Sequence, residues 1–325
     1  MRYIISSALA SLLAGATLAQ AEAPRVVTDI PPVHALVAQV MGELGTPVLL
    51  LAAGASEHDF QLRPSQAADL ADADLVVWIG PELTPWLDRA LTGLSDGSTK
   101  LALLQAEGTL RQDFAADGAH MGHDDHADHD DHGHDDHGPD DGGPDDGGHA
   151  HAGTDPHAWL DPDNARHWLG LIAAELSRLD PANAATYAAN AAAAETRIAA
   201  LDAEVAAQLA PVRDRPVVVF HDAYGYFAAH YGLSVFGSVA LGDATAPGAA
   251  RLAALREALA GGGATCLFPE AQHDAGMIED LAADTGLRIG AALDPNGSTL
   301  EPGPQAYEAL LGGLAAALVA CLAPA

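Results

Sequence analysis

Lysine is all but missing from this chain: Lys100 is the only one. Lys and Arg together number 14 against 45 Asp and Glu, a formal charge of −31. Nucleic-acid binding needs a basic face, so this imbalance excludes it and favours a cationic ligand. Aromatic residues make up only 5% of the chain and cysteine occurs twice, at Cys266 and Cys321. Nothing flanks either cysteine with metal-ligand spacing. No H-E-x-x-H motif and no solenoid-type repeat is present. Past the N-terminus, no apolar run is long enough to span a bilayer.

The one long apolar run is at the start. Arg2 precedes Ile4 to Leu18, followed by Ala19-Gln20-Ala21, a small-residue cleavage pattern. Residues 1–21 are expected to be a secretory signal peptide, with an uncleaved anchor as the alternative. No cysteine follows the apolar run, so no lipid anchor is indicated. The mature chain is expected to be soluble and exported to a periplasm. There an even pair of cysteines is most simply a disulfide, with a thiolate ligand as the alternative.

About half the residues are apolar, enough for a real core. The roughly 300 that remain after residue 21 exceed the usual size of one core, so two lobes are expected. Short apolar runs alternate with helical periodicities, the pattern of an α/β fold. In the first lobe the strands read as Arg25–Thr28, Val48–Ala52, Leu75–Ile79 and Leu101–Leu104. Helices fall at Pro32–Met41, Gln66–Ala73, Pro85–Leu94 and, beyond an insert, Asp161–Leu179. An Ala-rich stretch, Pro181–Leu209, predicts a helix of about 43 Å, bounded by Pro181 and Pro211. A second lobe repeats the alternation, with strands at Val217–Phe220, Ser234–Val239, Thr265–Pro269 and Arg288–Leu293. Its helices are Ala223–Tyr231, Arg251–Leu259, Met277–Thr285 and Ala306–Cys321. The expected fold is therefore α/β: two lobes with central, mostly parallel sheets joined by a single long rigid α-helix. The expected boundaries are 22–180 for the first lobe, 181–211 for the joining helix and 212–325 for the second lobe.

The insert, about residues 117–152, has the most biased composition. From His120 to His151 it holds nine His and eleven Asp and no Lys or Arg. It has no apolar face to offset its ordering entropy, so it is expected to be disordered. Imidazoles and carboxylates in such number point to divalent metal, against the blander reading of a solvated polyanionic linker. The auxiliary ligand candidates are His120, His123, His126, His129, His132, His134, His137, His149 and His151.

Seven His lie elsewhere: 34, 58, 157, 167, 221, 230 and 273. His58 follows a strand in GASEHDFQLRP, His221 immediately follows one in VVVFHDAYGYF, and His157 lies in the Pro-bounded DPHAWLDP. Ligands in open α/β sheets collect beyond the carboxyl ends of strands, where residues from two lobes can converge. Each of the three is flanked by carboxylate that can orient an imidazole: Glu57 and Asp59, Asp155 and Asp161, Asp222. Three His suit zinc better than manganese or calcium. The fourth position is left to Glu57, to water, or to Asp294 in ALDPNG. His167 and His230 read as packing or surface residues and His273 as a surface residue. His34, in DIPPVHALV, reads as an ordinary residue near a helix start, with a place lining the cleft as the alternative.

GASEHDFQLRPSQ, DPHAWLDP, FHDAYGYFAAHYGL, FPEAQ and LDPNG, in this order, resemble the periplasmic zinc-binding proteins of ABC importers, the ZnuA type. The resemblance spans essentially the whole mature chain. It implies two α/β lobes on one rigid helix, and Zn²⁺ held in the cleft by His58, His157 and His221 with Glu57 able to contribute. Manganese-preferring relatives use more carboxylate at the position of Asp294. It implies a Cys266–Cys321 disulfide and a His-rich insert ahead of the second ligand. The partner implied is the membrane permease of an ABC zinc importer, served by a monomer. On this reading the protein is not an enzyme, and the insert is a zinc collector or sensor on which a periplasmic zinc chaperone docks. Rival readings are a zinc hydrolase, since three His and water also form a catalytic set, and a manganese-binding, adhesin-like relative.

Overall fold

Two contiguous apolar runs, Leu75–Trp78 and Val217–Phe220, lie at the centres of two separate parallel sheets, buried on both faces. The computed structural model describes residues 22–51, 53–57, 60–94, 97–114, 153–241 and 247–324. The expected signal peptide, the His/Asp-rich insert with its nine His, and His58 lie outside the described residues.

The first sheet is built from β1 (Val26–Thr28), β2 (Val48–Leu49), β3 (Leu75–Trp78) and β4 (Thr99–Ala102), in the order β2-β1-β3-β4 and all parallel. Helices α1 (Pro31–Met41), α2 (Pro64–Ala71) and α3 (Pro85–Leu94) connect these strands. The second sheet uses β5 (Val217–His221), β6 (Val235–Ala240), β7 (Cys266–Leu267) and β8 (Arg288–Ile289), in the equivalent order β6-β5-β7-β8, again all parallel. Each sheet therefore has a topological switch point, between β1 and β3 in one and between β5 and β7 in the other. At such points, crevices open beyond the strand ends.

Between the sheets run α4 (Pro162–Leu179) and α5 (Ala184–Leu209), with α9 (Ala306–Leu322) and α1 against them. Strand residues divide by their period of two. Val26, Leu75, Val77, Val217, Val219 and Phe268 face a shared core with these helices. Val27, Val76 and Trp78 face α2 and α3. Val218, Phe220 and Leu267 face α7 (Ala249–Ala260) and α8 (Gly276–Thr285). The two sheets thus share one central helical layer. Among the described residues, no helix is long and apolar enough to cross a membrane.

The joining helix starts later than expected. Pro181–Asn183 forms a 3₁₀ turn and the α-helix begins at Ala184, running 26 residues, about 39 Å. Tyr187, Ala191, Ala194, Ile198, Val205 and Leu209 mark its buried stripe. The strands are shorter than the apolar runs that encode them, yet their ladders continue. Leu103 and Leu104 donate to Trp78 and Ile79, and Phe268 donates to Val218. Cys266 on β7 and Cys321 on α9 form the expected disulfide, with Cα atoms 6.4 Å apart.

Candidate metal centre

His221 is the last residue of β5, so the buried run that makes the strand also carries the imidazole into the crevice. His157 stands just before the 3₁₀ turn Ala158–Leu160, in a chain segment entering α4. The fold brings these two rings from opposite lobes to an Nε2–Nε2 separation of 3.4 Å, with both residues buried.

Each ring is held from behind by a carboxylate. Asp155 Oδ1 lies 2.7 Å from His157 Nδ1 and also accepts the His157 backbone N–H at 2.9 Å. Glu270 Oε2 lies 2.6 Å from His221 Nδ1, while its Oε1 accepts from the Tyr224 hydroxyl at 3.0 Å and from the His221 N–H at 3.3 Å. A carboxylate at Nδ1 fixes the hydrogen there and leaves the lone pair on Nε2. Two such lone pairs facing each other repel unless a cation lies between them. Two Zn–N bonds of about 2.0–2.1 Å at a tetrahedral angle place their nitrogens about 3.3–3.4 Å apart. The observed separation fits that geometry.

Asp155 takes the orienting role expected of it. For His221 the flanking Asp222 was the candidate, but Glu270, just beyond the neighbouring strand β7, makes the contact. The only hint of this in the sequence is that FPE ends a strand much as VVVFH does.

Glu57 is fully buried on the loop that follows β2, and its Oε2 accepts from Asn296 Nδ2. The Trp86 indole N–H donates to the Glu57 carbonyl at 2.9 Å, which fixes this loop to α3. At the end of β1, burial pushes the Asp29 carboxyl up to about 7, against the N–H groups of Ile79 and Ile30 that it accepts, with the Glu57 charge adding to the rise. Asp294 knits a turn. Its Oδ1 accepts from Gln272 Nε2 at 2.8 Å and Ser298 N at 2.9 Å, and its Oδ2 accepts from Thr299 N at 2.8 Å and Thr299 Oγ1 at 2.6 Å.

The remaining His divide by their surroundings. His34 is buried on α1 with Nε2 3.2 Å from the Pro47 carbonyl, and burial lowers its pKa. His167 Nε2 is 2.8 Å from the Glu107 carbonyl. His273 is less peripheral than expected: it is 19% exposed, stacks on Phe220 at 4.3 Å, and brings Nε2 to 3.9 Å from Glu270 Oε2. His230 sits between Asp161 and Asp202, at 3.2 and 2.8 Å.

Two parallel-sheet lobes on a shared helical layer, with one imidazole at a strand end meeting another from the segment that enters α4, form the fold seen in two-lobed metal-binding solute-binding proteins. Solved structures share the fold. The periplasmic zinc-binding protein TroA from Treponema pallidum superposes with a TM-score of 0.73 at 19% identity, over 93% of this chain and 100% of that one. A zinc-bound deletion mutant of ZnuA gives 0.71 at 24% identity, over 93% and 99%. The sequence narrows the class: residues 26–321 match the model of the family "Zinc-uptake complex component A periplasmic", and the chain belongs to that family. It is 55% identical to the high-affinity zinc uptake system protein ZnuA of Paracoccus denitrificans, over 98% of both chains. It is 38% identical to the Brucella abortus protein of the same name, over 98% of this chain and 97% of that one.

Proposed function

We propose that the protein captures Zn²⁺ as cargo in the crevice between its two sheets and hands it to the membrane permease of an ABC importer. His157 and His221 bind through Nε2, and His58 and Glu57 complete a four-coordinate set. The observation that carries this is the pair of carboxylate-backed imidazoles whose lone-pair nitrogens stand one tetrahedral zinc apart. Glu57 is preferred over Asp294 because Asp294 already accepts donors on both oxygens within its own turn. Three neutral imidazoles with one carboxylate favour a borderline cation over manganese, which prefers more oxygen. Membership of a family whose name reads zinc uptake and periplasmic supports the same cargo and compartment.

On this reading residues 1–21 are an export signal that is removed. Residues 22–180 and 212–325 form the two lobes, and 181–211 the helix that joins them. The protein is a carrier, not an enzyme, and works as a monomer. The His/Asp-rich insert collects zinc weakly at several positions and is a docking point for a periplasmic zinc chaperone. Titration of the metal-free protein with Zn²⁺ and Mn²⁺ against a competing chelator tests the cargo. Tight Zn²⁺ binding that excess Mn²⁺ does not displace is expected, and a preference for Mn²⁺ would reverse the assignment. Steady hydrolysis of simple esters by the zinc-loaded protein would instead revive the enzyme reading.

A further inference from the structure

The short helix α6 (Gly225–Tyr231) begins four residues after His221 and runs across to the segment that carries His157. Residues one helical turn apart share a face, and two of them on α6 grip that segment at its two ends. Near the start, Tyr226 Oη accepts the Gln112 N–H at 3.0 Å and donates to the Asp155 carbonyl at 3.0 Å. At the far end, His230 Nδ1 meets Asp161 Oδ1 at 3.2 Å, and its Nε2 meets Asp202 Oδ1 on α5 at 2.8 Å. Beside Tyr226, at the first residue of α6, the backbone approaches the same end of the segment closely. A Cβ at Gly225 would meet Gln112 Nε2 at 2.5 Å and Asp155 Oδ2 at 2.9 Å. Both tethers keep their hydrogens at neutral pH. Burial pushes the Tyr226 phenol up to about 12, and the Asp161 hydrogen bond, then Asp202, pushes His230 up to about 9.

We infer that Tyr226 and His230 are positioning residues: from the lobe that holds His221, they clamp Asp155–Asp161 at both ends and so set the His157–His221 bonding distance. The inference rests on the reading of those two His as zinc ligands. Asp161 also caps α4 by accepting the Asp163 N–H at 2.8 Å, so the far clamp fixes the point where the segment becomes helix. Removing Tyr226 Oη leaves the Asp155 carbonyl and Gln112 N–H without this partner and releases the residue that orients the His157 ring. Outer residues of this kind change metal affinity by about 10–100-fold.

The test uses the full-length protein, with zinc affinity read by chelator competition and site geometry by the visible d–d absorption of the Co²⁺-loaded form, which is strongest for tetrahedral coordination. Four variants are compared with wild type: Tyr226→Phe, His230→Gln, Val205→Ala and His157→Ala. Tyr226→Phe is expected to weaken zinc binding about tenfold or more, and His230→Gln a few fold, both with a fainter Co²⁺ band. Val205→Ala, which trims the core under α5, is expected to lower the melting temperature while leaving affinity and band unchanged. The inference is overturned if His157→Ala abolishes tight binding but Tyr226→Phe and His230→Gln stay within twofold of wild type. It is equally overturned if Val205→Ala weakens binding as much as they do. If His157→Ala binds zinc as tightly as wild type, the site assignment itself falls.

Discussion

Replacing Glu270 by Gln isolates the group behind His221. The carboxylate accepts from His221 Nδ1–H at 2.6 Å, the Tyr224 hydroxyl at 3.0 Å and the His221 N–H at 3.3 Å, with His273 Nε2 3.9 Å from Oε2. Glutamine keeps the size but replaces one acceptor oxygen by an NH₂. If its oxygen stays on Nδ1–H, a charge-assisted bond becomes a neutral one, a loss of about 1–1.5 kcal/mol, and the NH₂ turns toward another donor, the His221 N–H. If the amide flips, its NH₂ donates to Nδ1, the ring hydrogen moves to Nε2, and the metal loses that ligand. Both arrangements cost zinc affinity, and the milder amounts to about tenfold at 1.4 kcal/mol per decade. Competition titration near neutral pH, with the melting temperature of the metal-free variant as a folding check, gives the answer. A folded Glu270→Gln protein that binds zinc within twofold of wild type would refute the role given to this carboxylate.

Three further outcomes follow from the same contacts. His230 lies between Asp161 and Asp202, with Asp163 and Tyr231 nearby, and is pushed up to about 9 from 6.5. Its protonated form stabilises the fold fully below pH 6.5, and that contribution fades as pH rises through about 9. Melting temperatures of metal-free protein from pH 6 to 10 are therefore expected to fall more steeply for wild type than for His230→Gln, and parallel curves would contradict this. Reducing the Cys266–Cys321 bond, which spans 55 residues, is expected to remove up to about 4 kcal/mol, read as a lower urea midpoint. Trp159→Phe leaves the Pro295 carbonyl without its 2.8 Å indole donor in a buried position, at a cost of about 1–3 kcal/mol in the same assay.

Much of the fold was legible because buried parallel strands read as unbroken apolar runs, as in LVVW and VVVF, and because helical periodicity located the helices, with the expected start at Pro85 met and those at Gln66 and Asp161 displaced to Pro64 and Pro162. Strand lengths were not. Thr265–Pro269 shrinks to Cys266–Leu267 because only those residues complete the ladder with neighbours on both sides, a matter of register. Pro181, expected in the first turn of the long helix, opens a 3₁₀ turn ahead of it.

In the site, His157 and His221 could be read from strand-end and pre-helix position. Asp155 could too, since an Asp two residues ahead of a His can fold back on it. Glu270 could not, because it lies 49 residues beyond His221 and arrives by the pairing of β5 with β7. Asp222 is the nearer carboxylate in sequence, but it lies just past the end of β5, and the contact at Nδ1 is made by Glu270. The placements of His230 and His273 were hidden for the same reason: their partners Asp161, Asp202 and Phe220 come from other elements.

The central claim is that zinc is held in the crevice and not by the His/Asp-rich insert. One chelator-competition titration compares three proteins: wild type, one lacking residues 117–152, and His157→Ala. The shortened protein is expected to keep one tight zinc per chain while losing weaker ones, and His157→Ala to lose the tight one. Loss of the tight zinc on shortening, with His157→Ala unaffected, would contradict the claim.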